Sequence, residues 1–210
     1  MRRGARESAR MKVSILDYGA GNLHSLAKVV ASDGVTASVE TDLRLAAAAD
    51  ALILPGVGAF GSAVAAIDRD HAYVTAAIAD GLPVLGICLG MQLLFDESEE
   101  GAGRGLGVVP GRVRKLRSGR VPQIGWNELE LVRDGLFERT HLANAYFANS
   151  FVCEPCDPAA AIAWATHDDD RFVAAVRVGN MVGVQFHPEK SSARGVAFVR
   201  TFIEDASQCR

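Results

Sequence analysis

The segment Pro83 to Phe95, PVLGICLGMQLLF, restricts the fold more than any other part of the chain. An apolar run of strand length ends at Cys88 and passes directly into a helical pattern, with Gly86 two residues before the cysteine and Gly90 two after it. A sharp strand-to-helix turn needs small neighbours, because its backbone is strained and passes close to whatever the turn presents. The pattern fits a Gly-x-nucleophile-x-Gly elbow with cysteine as the nucleophile. At the start of the following helix the dipole and free amides favour a thiolate, and the N–H of Leu89 can point at a developing oxyanion. Taken alone, Cys88 has a second reading as a small buried hydrophobe, the usual state of a free cysteine.

The surrounding sequence predicts the sheet that such an elbow requires. MKVSILDY is strand-like, GAGN turns it into a helix from Leu23 with Asn22 as N-cap, and Gly34 stops that helix. VTASVE, a short capped helix in DLRLAAAAD, the buried strand ALIL, helical patterns from about Gly61 to Asp80 and the strand PVLGI follow. Alternating strands and helices imply βαβ units and a parallel sheet. After Glu100 the character changes: AYFANSFV, AAIAWAT and FVAAVRVGNMVGVQF read as strands, with Gly179-Asn180 as a hairpin turn. SSARGVAFVRTFIEDA reads as a closing helix with Val196, Val199 and Ile203 on one face. The expectation is a three-layer α/β sandwich around a mainly parallel sheet with an added antiparallel portion. With 210 residues, 49% of them hydrophobic, this makes one domain over 11–210 behind a disordered lead-in or tag over 1–10.

A formal charge of −3 supplies no basic field for nucleic acid or anionic lipid, and no apolar run has the length of a membrane span, so a cytoplasmic protein is expected. Arg112, Arg114, Lys115, Arg117 and Arg120 alternate with Val113 and Leu116 and read as a solvated strand face or an interface rim. Cys153-x-x-Cys156 lacks the second ligand pair of a zinc site and reads as a turn. His24, His71, His141 and His167 have no carboxylate or cysteine at ligand spacing.

A cysteine nucleophile needs a base, and the base needs something to orient it. In VQFHPEKSS, His187 and Glu189 are two apart and project to the same side of an extended segment, while Pro188 biases His187 toward that geometry. LPGVGAF places two glycines directly after a buried strand, so amides around Gly56, Val57 and Gly58 could form half of an oxyanion hole with Leu89 as the other half. From that loop alone, an ordinary glycine-rich turn is the favoured reading.

The motifs GICLGMQ, PGVGAF and FHPEKS resemble the class I (triad) glutamine amidotransferases, and the likeness runs from about Met11 to Glu204. It implies that Cys88 attacks the side-chain amide of glutamine, His187 shuttles protons and Glu189 holds the imidazole. A γ-glutamyl thioester and ammonia would form, and water would then release glutamate. It implies further that Gly56, Gln92, Glu100, Asn149, Ser150 and Phe151 surround the substrate, and that neither cofactor nor metal is required. LDYGAGNLHSL, PQIGWN and HPEKS are similar to the members that pass their ammonia to a cyclase subunit of (β/α)8 fold in histidine biosynthesis. In that heterodimer Asp17, Tyr18, Asn22, Trp126, Asn127 and Lys190 would face the partner, with Asp17, Tyr18 and Asn22 on a surface loop. Two departures stand out: Asn149-Ser150-Phe151 replaces a His-Ser-Tyr or His-Thr-Tyr, and Gln123 replaces a histidine before the Gly-Trp-Asn. The alternatives are a glutaminase serving another synthase and a catalytically silent subunit that scaffolds a partner.

Overall fold

A computed structural model describes residues 10–19 and 23–208. The lead-in over 1–9, Asn22 as helix cap and partner contact, and Cys209 lie outside the described residues. The first strands form where the apolar runs place them: β1 (Met11–Leu16), β2 (Val35–Glu40), β3 (Ala51–Leu54) and β4 (Val84–Ile87). They pair in parallel in the order β2-β1-β3-β4. The connections are α1 (His24–Val30), α2 (Leu43–Ala47), and α3 (Phe60–Ile67) followed by α4 (His71–Ala79). Asp42 caps α2 by accepting from the amides of Arg44 and Leu45, which satisfies donors that have no partner inside the helix. After β4 the elbow opens into α5 (Leu89–Gln92).

The second half completes the same sheet by returning to its middle. The strand β12 (Met181–Val184) lies parallel to β4, with Gly183 opposite Gly86 and Val184 opposite Ile87. It is joined over Gly179-Asn180 to the antiparallel β11 (Asp170–Val178), with Gly179 at a positive φ of 55°. Beyond β11 come β9 (Phe151–Pro155), β6 (Gly111–Lys115) and the two-residue β5 (Glu97–Ser98), and β10 (Ala161–His167) also pairs with β11. A separate antiparallel pair, β7 (Gln123–Glu128) and β8 (Asn144–Asn149), lies off this sheet. The mixed sheet has helices on both faces, α1, α6 (Gly135–Thr140) and α7 (Ser192–Gln208) sharing one core cluster while α2, α3, α4 and α5 share the other.

Three expectations are corrected. AYFANSFV is two strands in two different sheets, because the chain leaves β8 at Ser150 and enters β9 one residue later. The inward face of α7 is built from Phe198, Val199, Phe202 and Ile203, with Val196 only half-buried, since the aromatic rings bury more apolar area. Arg114 is not on a solvated face: its side chain is 6% exposed and forks onto Asp170 at 2.6 and 2.8 Å while its Nε meets Glu154 at 2.5 Å. Burial works against the Arg114 charge, but the paired carboxylates outweigh it and hold the guanidinium above its ordinary range. Because this guanidinium links β6, β9 and β11, Arg114→Met should destabilise the protein by about 3 kcal/mol by leaving the buried Asp170 without its guanidinium, while Glu154 keeps Arg112. Urea unfolding checks this, and an unchanged midpoint would show the pair to be dispensable.

Candidate active site

The strand register brings the distant motifs together. Cys88 is the first residue past β4 and His187 the third past β12, so two neighbouring parallel strands deliver both to the same edge of the sheet. The amide of Cys88 donates to Val184 O at 2.7 Å, which ties the elbow to the neighbouring strand. Cys88 itself has φ 47° and ψ −104°, a backbone state that L-residues avoid. Its glycines answer to space: a Cβ on Gly90 would lie 2.0 Å from Leu54 O, and one on Gly86 would lie 2.7 Å from Gly90 O. The elbow thus packs backbone on backbone, which only glycine permits.

His187 is only 3% exposed and its Nδ1 lies 2.8 Å from Glu189 Oε1. A carboxylate only accepts, so Nδ1 carries the proton and Nε2 is the nitrogen left to meet the Cys88 thiol. The ring is held from behind. Its amide donates to Tyr146 O at 2.8 Å, Ser191 Oγ donates to His187 O at 2.7 Å, and the amide of Tyr146 donates to Ser191 Oγ at 2.9 Å. Phe186 next to it packs edge-on against Phe137, Phe147 and Phe198, with ring centres 5.8 to 6.2 Å apart. Burial alone would lower the basicity of His187, but hydrogen bonds to Cys88 and Glu189, with their negative charges, raise its pKa from 6.5 to about 9. At neutral pH the imidazole therefore holds its proton against the thiol sulfur and the carboxylate.

Gly56 fills the gap between nucleophile and base: a Cβ there would lie 2.9 Å from both Cys88 Cβ and His187 Cε1. Beside it opens a cavity of about 200 Å³ lined by Gly56, Gly58, Cys88, Leu89, Gln92, Glu100 and Ala148 to Phe151. Every residue expected around the substrate lines it. Of the three oxyanion candidates, Gly58 (φ 117°) and Leu89 line it, whereas Val57 lines a neighbouring cavity with Glu189 and Lys190. Partial burial raises the carboxyl of Glu100 above its ordinary range, against the amide of Phe60, which favours the anion.

Among the expected partner contacts, Trp126 is 57% exposed and Lys190 is exposed, while Asn127 is half-buried with its amide donating to Thr166 O at 2.8 Å. Asp17 is half-buried and accepts from the amide of Gly19 at 2.9 Å. Tyr18 is a correction. Its ring is buried and its hydroxyl donates to Pro55 O, so it braces the Gly56 loop from inside rather than facing solvent. Burial first, then the nearby charges of Cys88 and Asp17, push that phenol well above its usual range.

The two departures from the family pattern are one feature. Gln123 and Asn149 are direct cross-strand partners of β7 and β8, both 4% exposed, and Gln123 Oε1 and Asn149 Oδ1 are both buried without a hydrogen-bond partner among the described residues. Asn149 Nδ2 nevertheless holds Phe151 O at 3.1 Å. One residue near the thiol has no counterpart in the motifs. Gln185 is fully buried and its Nε2 lies 3.5 Å from Cys88 Sγ. The sole hint in the sequence is a glutamine interrupting the apolar run VGVQF.

A family model described as Glutamine amidotransferase class-I matches residues 14–206. The chain is 42% identical over 199 residues to the imidazole glycerol phosphate synthase subunit HisH of Gloeothece citriformis, covering 91% of this chain and 94% of that one. It is 43% identical over 193 residues to the HisH subunit of Thermus thermophilus, covering 90% and 94%. Among solved structures, PurLQS from Thermotoga maritima superposes with a TM-score of 0.72 at 20% identity, covering 93% of this chain and 98% of that one. A crystal structure described as glutamine amidotransferase gives 0.71 at 20%, covering 93% and 99%. At those identities the two structures establish the fold.

Proposed function

Since the chain belongs to the class-I glutamine amidotransferase family, we propose that it is the glutaminase subunit of an imidazole glycerol phosphate synthase, with Cys88, His187 and Glu189 as its catalytic triad. The observation that carries the reading is the junction at the sheet edge: a nucleophile on a strained elbow, touched by a buried, Glu189-oriented imidazole and opening into a cavity. The Cys88 thiolate attacks Cδ of the substrate glutamine, and the amide oxygen becomes an oxyanion facing the amides of Leu89 and the Gly58 loop. Protonated His187 gives its proton to the departing nitrogen, and ammonia leaves a γ-glutamyl thioester. His187, now neutral, takes a proton from water, which attacks the thioester carbonyl and releases glutamate and the thiolate. Glu189 keeps Nε2 aimed at this exchange by accepting from Nδ1.

In this reading the ammonia is consumed by a separate cyclase subunit of (β/α)8 fold, which docks on the face carrying Trp126 and Lys190. Glutaminase activity is low until the partner and its nucleotide substrate are bound. The test is glutamate release from glutamine by the purified chain, with and without the cyclase partner and its substrate, with Cys88→Ala as control. Activity that needs the partner and vanishes in the variant fits the proposal. Full activity without the partner would point to a different synthase or none.

The basicity of His187 sets a pH limit. It is raised above its unfolded value, so its share of stability is fully present below pH 6.5 and is lost as pH rises through about 9. Glutaminase turnover should follow, with an alkaline limb near pH 9 as the proton needed by the leaving nitrogen is lost. Glu189→Gln should move that limb toward 6.5 by removing the negative charge that helps retain the proton. A pH–rate profile whose alkaline limb is the same in both proteins would contradict this coupling.

A further inference from the structure

Among the described residues the Cys88 sulfur has three polar neighbours. His187 meets it as the base, Ala148 O lies 3.9 Å away, and Gln185 Nε2 lies 3.5 Å away. The carbonyl can only accept, so its contact exists while the sulfur carries a proton and lapses when it ionises. The amide of Gln185 behaves oppositely, because an N–H bonds more strongly to a thiolate than to a thiol.

The direction of that amide is settled by its neighbours. Gln92 Nε2 donates to Phe151 O at 3.3 Å, and a backbone carbonyl accepts only, so the NH2 end of Gln92 is fixed. The same NH2 lies 3.4 Å from Gln185, which must therefore present its oxygen there and its own NH2 to the sulfur. Phe151 O is held a second time, by Asn149 Nδ2. An unbroken line of oriented amides thus runs from the wall of the substrate cavity to the reacting atom, and none of its members can turn without losing a bond.

We propose that Gln185 is a further catalytic residue: its N–H holds Cys88 Sγ in place and favours the thiolate, while its oxygen couples that hold to Gln92 in the substrate cavity. The inference rests on Cys88 being the nucleophile. Placement on β12's exit, two residues before His187, lets one extended segment contribute two of the three groups around the sulfur. The segment is anchored meanwhile by the Gln185 amide donating to Ala174 O at 2.8 Å.

The test is the pH dependence of Cys88 alkylation by iodoacetamide in the full chain, read by mass at each cysteine, for the unaltered protein, Gln185→Met and Gln185→Glu. Methionine keeps the length without a donor. Glutamate keeps the acceptor toward Gln92 and places an oxygen, not an N–H, against the sulfur. With folding verified by melting, both variants should move the pH of half-maximal Cys88 reactivity upward by about one unit and slow alkylation at neutral pH about tenfold. A merely space-filling Gln185 would leave this profile unmoved in folded Gln185→Met, and that result overturns the inference while Cys88 remains the nucleophile. If Gln185→Met does not fold, Gln185→Leu, equally without a donor and without a charge, decides by the same shift or its absence. If Cys88 of the unaltered protein reacts no faster than the exposed Cys156, the nucleophile reading itself falls and takes the inference with it.

Discussion

Cys88→Ala should reduce partner-stimulated glutamate release by at least about 10⁴-fold, because among the described residues Cys88 is the one thiol lining the cavity, and a thioester needs a thiol. Retention of more than about one part in a hundred would assign the chemistry to another group. The same position carries a stability prediction of opposite sign. At φ 47° and ψ −104° any residue with a Cβ is strained, at a cost of about 1–3 kcal/mol, and glycine is not. Cys88→Gly should therefore melt above Cys88→Ala, by about 1 kcal/mol after the greater freedom of glycine in the unfolded chain is subtracted. The reverse order would mean that the elbow holds no strain.

Gly90→Ala should be more damaging than its single methyl group suggests. The new Cβ would meet Leu54 O at 2.0 Å and the Leu54 carbonyl carbon at 2.6 Å, both backbone atoms of β3, so either the strand or the elbow must move. A loss of about 3 kcal/mol or more is expected, with glutaminase activity falling at least about a hundredfold because Cys88 moves with the turn. Gly61→Ala is the matched control. It lies within α3, its nearest foreign atom would be Ala102 O at 3.7 Å, and it should be neutral or slightly stabilising. Equal behaviour of the two variants in urea unfolding would refute the close-packing account.

Much of the site is legible in the sequence because its chemistry demands short-range patterns. Gly86-x-Cys88-x-Gly90 reports a crowded turn, and His187-Pro188-Glu189 reports two side chains on one side of an extended segment. Those constraints act within a few residues, so they leave a readable trace. Gln185 leaves almost none, since its importance depends on β12 lying beside β4, a pairing between segments far apart in the chain. Arg114 misleads for a related reason. Alternating charge on a strand looks solvated until two other strands supply Asp170 and Glu154 from far along the chain. Tyr18 reads as a surface residue because its loop is polar and glycine-rich, and only the fold reveals the buried carbonyl of Pro55 that receives its hydroxyl. The division of Asn144 to Pro155 between two sheets is equally silent, because period-two alternation does not say which neighbour a strand will choose.

The late return of β12 into the middle of the sheet also has a consequence for synthesis. A ribosome emitting the chain produces the elbow well before the strand that carries the base, which arrives only after Val178. Until that strand inserts beside β4, Val184 O is absent from the Cys88 amide, and neither the imidazole nor Gln185 reaches the sulfur. A nascent or truncated chain therefore carries an ordinary thiol and spends no glutamine, and competence for the reaction appears in one step with closure of the sheet.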